Sequence, residues 1–135
     1  MGSDDQKRIS QSLLCEIVGS SASTHNSWIN KGRLERRPSK HYEEEDAVNF
    51  AVLRALMEGL GPTDGPLAWD QLDELQDRVD EPDLVALFDR QDKKGSLVSA
   101  MTELRGKHSY GHPLAVVDLA DPIERVRVAF QRLPT

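Results

Sequence analysis

One cysteine, Cys15, stands in a chain of 135 residues, which excludes an internal disulfide and any multi-cysteine zinc site. Its neighbours Leu13, Leu14, Ile17 and Val18 are apolar. Cys15 therefore reads as a small core residue rather than a reactive thiol, and a reducing compartment suits it. No apolar run approaches the roughly 20 residues that a membrane span requires. The opening stretch MGSDDQKRIS carries no apolar segment of the secretory type, and the expected location is the cytoplasm. Glycine-rich phosphate loops and nucleophile elbows are missing as well. His108 and His112 have the spacing of metal ligands on one helix face, but Gly111 and Pro113 prevent a helix there. Asp118, at the end of an apolar strand and before a helix start, reads as structural. The expectation is a protein with no catalytic residue, no metal and no cofactor, hence not an enzyme.

What remains is a hydrophobic content of 38% with 30% charged residues, the balance of a soluble globular chain rather than a disordered one. The length allows one ordinary domain or two small ones sharing a core. The net charge of −6 speaks against a polyanionic partner only as a total, because its distribution is uneven. Residues 1–60 hold a net −1 and residues 61–135 a net −5. Within the first part, Lys31, Arg33, Arg36, Arg37 and Lys40 face Glu35 alone, a local +4 in ten residues.

That basic island lies inside GSSASTHNSWINKGRLERRPSKHYEEED, Gly19 to Asp46. Residues 1–8 are polar and expected to fray. Ser10 or Ser12 caps a first helix that runs to Val18, and Gly19 stops it. Ser20 or Ser21 caps a second helix at once, over Ala22 to Asn30. Two short helices joined by so tight a turn make a helix-turn-helix signature. Ala22, His25, Trp28 and Ile29 share one face of the second helix, and Ser23, Asn26, Ser27 and Asn30 the other. The polar face has hydroxyls and amides but no carboxylate, which suits an acidic partner. Residues 33–42, RLERRPSKHY, resist helix formation because Pro38 biases Arg37 to extended backbone. An extended basic loop beside a helix-turn-helix is a wing. Glu43 to Asp46 then complement the dipole of a third helix, which runs to about Gly59 and is apolar on several faces. Gly59, Gly61, Pro62, Gly65 and Pro66 read as a hinge or tight connection, followed by an amphipathic helix over Leu67 to Val79 with Ala68, Leu72, Leu75 and Val79 on its apolar side. Trp69 reads as core, with a residue lining a partner surface as the alternative. LVALFD (84–89), with helix as an alternative, and SLVSAM (96–101) flank RQDKKG, where Asp89, Asp92 and the lysines make a solvated hairpin tip. Thr102 to Lys107 is a short helix, HSYGHP a turn, and LAVVDL (114–119) the clearest strand. Asp121, Pro122 and Glu124 open a last helix that buries Ile123, Val126, Phe130 and Leu133.

At the head, Gly19, Ser21, Thr24, Trp28, Gly32 and Leu34 resemble, in identity and spacing, the helix-turn-helix of the mercury-resistance-regulator (MerR) family. Lys40, Tyr42 and Glu44 to Asp46 match that family's end of wing and the capped start of its next helix. The resemblance covers about residues 12–60, and the excisionase-like relatives that share the head match equally well. It implies a second helix in the major groove and a wing along the flanking backbone. Carried over by position, Ser21, Ser23, Asn26 and Ser27 would face bases, while Thr24, Lys31, Arg33, Arg36, Arg37, Lys40 and His41 would lie along phosphates. His25 stands where the family has an aliphatic residue and reads as core. No long heptad-bearing helix follows residue 60, so the family's coiled-coil dimer is not expected; a monomer on DNA, or pairing without a coiled coil, is.

The expected fold class is α+β. An N-terminal winged helix-turn-helix (9–60) follows a flexible tail (1–8) and packs through its third helix on a small C-terminal α/β body with about three strands (67–135), beyond a hinge at 61–66. Arg105, Lys107 and His108, with Arg125, Arg127 and Arg132, make the last third locally basic, and the first three are candidates for a second DNA contact. The expected function is that of a sequence-specific double-stranded DNA-binding transcriptional regulator, most simply a repressor. The alternatives are an excisionase-like DNA-bending factor and a protein-binding adaptor with a degenerate helix-turn-helix.

Overall fold

The computed structural model describes residues 7–99 and 114–134. The expected helix over 102–107, the turn at 108–113, His112, and Arg105, Lys107 and His108 lie outside these residues. The described chain is α+β, with five helices and two small antiparallel sheets. It divides into two compact units: residues up to Ala51 together with Pro122 onward, and Val52–Asp121. By sequence the division was expected at the 61–66 hinge, with everything beyond it in one domain. By contacts it falls inside the third helix, and the C-terminal helix groups with the first unit. Among the described residues no helix is long and apolar enough to cross a membrane.

The first unit opens with β1 (Ile9–Ser10) and α1 (Gln11–Val18). Ser10 is the N-cap of α1, its side chain accepting the Leu13 N–H. Gly19, at φ 80°, ends the helix in the left-handed conformation, and the Gly19 and Ser20 N–H groups both close on the Cys15 carbonyl. Ser21 is the N-cap of α2 (Ala22–Asn30). Leu14, Cys15, Val18, His25, Trp28 and Ile29 are buried between them and their surroundings, whereas Ala22, expected on the apolar face, is exposed. A loop over residues 31–40 leads to β2 (His41–Tyr42), which pairs antiparallel with β1 through Ile9–Tyr42 and Ser10–His41. The first turns of α3 (Glu44–Trp69) bring Phe50 against Trp28, ring centroids 5.5 Å apart and nearly perpendicular. Lys7 donates from Nζ to the Phe130 and Leu133 carbonyls at 2.9 Å, a cation at and just past the C-terminal end of α5 (Ala120–Gln131). That helix starts at Ala120 and buries Ile123, Val126 and Phe130; Leu133, past its end, is half-buried.

In the second unit α3 breaks at Gly61 (φ 93°, ψ 174°), dividing it into residues 44–60 and 62–69. The expected hinge is thus a single residue followed by helix. Pro62 sits at a first helical position, where its missing N–H would have had no partner and its fixed φ suits the helix. The two segments approach so closely at Gly65 that a Cβ there would lie 2.9 Å from Met57 Cα. The expected helix over Leu67 to Val79 is also shorter than its apolar spacing suggested. It ends at Trp69, and residues 70–74 form turns closed by Gln71, Leu72 and Leu75 N–H bonds to carbonyls three residues back. Only α4 (Leu75–Arg78) follows. Asp70, Asp73 and Glu74 oppose the dipole where a continuing helix would carry its C-terminal half. The Gln71 carboxamide ties this turn to the hairpin, donating to the Leu67 (3.3 Å) and Lys93 (2.9 Å) carbonyls and accepting the Gly95 N–H (3.0 Å).

Three strands, β3 (Leu84–Asp89), β4 (Lys94–Ser99) and β5 (Ala115–Asp118), form an antiparallel sheet in the order β4-β3-β5. The central strand is buried from Leu84 to Phe88, as a strand covered on both faces must be. On one face Gly95 faces Ala68 and Val117 packs on Gly59, so residues 52–69 of α3 lie along it. On the other, Val85, Leu87 and Val98 cluster with half-buried Leu114. The hairpin tip is solvated, residues 90–94 being exposed. Asp89 shapes it by accepting the Gln91 and Asp92 N–H groups, and the buried Asp64 holds Arg90 (2.8 Å) and Lys93 (3.1 Å).

The two glycines of the α3 break have different jobs. A Cβ at Gly61 meets nothing within 4 Å, so Gly61→Ala costs backbone strain alone, about 1–3 kcal/mol. Gly65→Ala costs a similar ~1–3 kcal/mol through overpacking, and Met57→Ala does not rescue it, because a backbone atom is in the way. Urea unfolding of the three variants and the double mutant checks both statements.

Candidate functional site

Among the described residues, those expected to face DNA lie in the first unit, on α2 and its N-cap and on the loop and short strand that follow. Ser21, Ser23 and Asn26 are exposed; Ser27 and Thr24 are half-buried. Ser21 is first of all a cap. Its Oγ accepts the Thr24 N–H at 3.2 Å and its hydroxyl donates to Thr24 Oγ1 at 3.0 Å. Asn26 is held from α1, its Oδ1 accepting Gln11 Nε2 at 2.8 Å.

In the loop, Lys31, Arg36, Lys40 and His41 are exposed and Arg33 half-buried. Arg36 reaches back to the end of α2 and donates to Asn30 Oδ1 at 2.7 Å, which brings one loop cation beside the polar face of that helix. Residues 37–40 turn through a Lys40 N–H to Arg37 carbonyl bond of 2.9 Å, with Pro38 second in the turn. Lys40 takes the left-handed conformation, φ 59°. His41 Nδ1 lies 2.9 Å from the Ser39 carbonyl and must donate to it, leaving Nε2 as the other ring nitrogen.

Arg37 differs from the other loop cations. Its Nε lies 3.2 and 3.1 Å from the two Asp46 oxygens, and its terminal nitrogen 3.0 Å from one of them. Asp46, itself buried, also accepts the Glu43 N–H at 2.8 Å, so it caps α3 and holds the loop together. The hydrogen bond to Asp46 pushes the Arg37 guanidinium further above its ordinary range. Behind the polar face, His25 is buried, edge-on to Tyr42 at 5.0 Å and tilted on Phe50 at 4.8 Å. Burial lowers its pKa from 6.5, with Asp46 opposing in part. Burial pushes Cys15 and Tyr42 up. Among the described residues no group of three or more His, Cys, Asp or Glu could hold a metal ion.

Gln11, Asn30 and Asp46 are the members of this constellation that the sequence did not single out as site residues. Asp46 carried a signal, since it stands three residues after Glu43, the spacing of a reciprocal cap. Gln11 carried none, because its meeting with Asn26 depends on how α1 and α2 cross. Comparison with protein-family models, curated proteins and solved structures finds no match to this chain.

Two consequences can be measured. Arg37→Ala leaves the buried Asp46 carboxylate without its bidentate partner and lowers unfolding stability by about 1–3 kcal/mol, whereas Arg36→Ala, on the surface, changes it by less than about 0.5 kcal/mol. Equilibrium urea unfolding separates the two. Because the folded state keeps His25 neutral while the unfolded chain protonates it below about 6.5, stability falls as pH drops through that value toward the lowered folded pKa. In His25→Leu the decline between about pH 7 and 5.5 is reduced, as unfolding at a series of pH values reports.

Proposed function

We propose that the chain is a sequence-specific double-stranded DNA-binding regulator of transcription, most simply a repressor, and not an enzyme. In this reading α1 and α2 form a helix-turn-helix, α2 enters the major groove, and residues 31–40 act as a wing on the flanking backbone. The observation that carries it is the join between Arg36 and Asn30. It sets a loop of exposed cations beside a helix face of hydroxyl and amide groups that has no carboxylate. Cations at phosphates provide sequence-independent affinity, and amides read base edges. Lys31, Arg36, Lys40 and His41 are the phosphate contacts, with Ser23, Asn26 and Ser27 toward the bases. Arg33 and Thr24 flank them, while Ser21 and Arg37 shape the surface more than they extend from it.

A second reading keeps DNA and changes the process to excisionase-like bending. It draws on the break of α3 at Gly61, which ends that helix before any coiled-coil length. Bending of tandem sites bound cooperatively favours this reading; occlusion of one site without bending favours the repressor.

The test is selection of duplexes from a random pool, followed by affinity against salt on the winner. With about four to six phosphate contacts, log K falls against log salt with a slope of about −0.9 per contact. Lys40→Gly makes the cleanest variant. It relieves the left-handed backbone, so stability holds or rises by up to about 1 kcal/mol, while the salt slope shrinks by about one contact. Asn26→Ala relaxes choice at one or two base pairs with the slope unchanged. A flat salt dependence in the wild-type chain removes both DNA readings and leaves the protein-binding adaptor.

A further inference from the structure

Gln11 occupies the first position of α1, and its Nε2 lies 2.8 Å from His25 Nδ1 and 2.8 Å from Asn26 Oδ1. A primary amide nitrogen carries two hydrogens, one for each of these acceptors. Burial favours the neutral ring of His25. The Gln11 nitrogen faces its Nδ1, which fits the tautomer protonated at Nε2 and accepting at Nδ1. With that nitrogen toward Asn26, the carboxamide of Asn26 must turn its oxygen to α1, since the opposite orientation would set two NH2 groups against each other. The exposed Asn26 is thereby held with Oδ1 drawn back and the two Nδ2 hydrogens available to a partner.

Resting on the DNA-reading role proposed above, we infer that Gln11 is a positioning residue that sets specificity: through it Asn26 meets DNA as a hydrogen-bond donor and selects the acceptor edge of guanine, N7 and O6. An unconstrained Asn reads adenine with both ends of its amide, donating to N7 and accepting from N6. Tying back the oxygen disfavours that arrangement and leaves donation as the dominant contact.

Two variants of Gln11 distinguish this from a merely structural role. Gln11→Glu can only accept, so Asn26 Nδ2 turns toward it and Oδ1 faces outward, toward the N4 hydrogens of cytosine or the N6 hydrogens of adenine. An acid in the first helical turn is compatible with α1. Gln11→Leu removes the tether and frees the carboxamide to read adenine. The experiment is selection from a random duplex pool with the full chain as wild type, Asn26→Ala, Gln11→Glu and Gln11→Leu. Thermal unfolding confirms that each is folded, and affinity is measured against salt. The position relaxed by Asn26→Ala is expected to be guanine in the wild type, preferred roughly ten-fold over the next base. It moves to cytosine or adenine in Gln11→Glu and admits adenine in Gln11→Leu, whose salt slope equals the wild type's. A wild-type preference for any other base at that position overturns the inference, and this holds even where a variant binds too weakly to profile. So does an unchanged profile in the folded Gln11 variants, with affinity lost uniformly or not at all. Those results leave the DNA reading standing, whereas absence of salt-dependent binding by the wild type removes that reading and the inference together.

Discussion

The carboxylate of Asp46 is the fixed point of the first unit. It is buried, accepts hydrogen bonds from Nε and one terminal nitrogen of Arg37, and accepts the Glu43 N–H at the start of α3. Residues 31–40 contain no helix or strand to hold them, so their path depends on side-chain anchors of this kind. A buried ion pair is weak support for overall stability, because desolvation offsets most of the attraction. It is strong support for one geometry, because each partner left alone is costly. Asp46 therefore matters less for whether the unit folds than for where its loop sits.

The same bond changes the electrostatic account of the basic island. Five cations stand between Lys31 and Lys40, but the charge of Arg37 is matched by Asp46 at contact distance, with Glu35 3.8 Å away. Arg36 keeps its charge outward and has its direction set by a neutral amide, Asn30. The surface offered to a partner is thus carried by Lys31, Arg36 and Lys40, with Arg33 half-buried. Fewer cations in defined positions give a smaller but more directional field than the same count on a mobile loop.

Much of this was legible in the chain itself, wherever the information is local. A serine cap before each of the first two helices (Ser10 or Ser12, then Ser20 or Ser21), Gly19 as a stop, the limits of α2, the burial of Cys15, His25, Trp28, Leu34 and Tyr42, and strands within LVALFD and LAVVDL follow from spacing and turn chemistry within a few residues. The failures share a cause. Pro62 and Pro66 among glycines read as loop, but proline is as compatible with an early helical turn as with a hinge, and only the pairing of Gly65 with Met57 decides. Leu67 to Val79 had helical spacing, but the chain turns after Trp69, where Gln71 meets Lys93 and Gly95 across 22 and 24 residues. Arg37 looked like its neighbours until Asp46 was found beside it. Contacts distant in sequence override local preference, and they leave no mark in a single sequence.

The commitments already made within the face of α2 narrow what it can recognise. Ser21 is occupied with Thr24, and the oxygen of Asn26 with Gln11. What points outward is therefore weighted toward donors: the Asn26 amide hydrogens, the ammonium groups of Lys31 and Lys40, and the Arg36 guanidinium. A donor-rich face complements phosphate oxygens and the acceptor edges of purines, and it repels a basic protein surface. The alternative in which this face binds protein therefore requires an acidic partner, so net charge alone cannot separate the two. Spacing can. Phosphates recur along a duplex at a fixed interval, and the bond between Arg36 and Asn30 holds a cation in one place at the end of α2, a fixed position that suits a regular polyanion better than an irregular acidic protein surface.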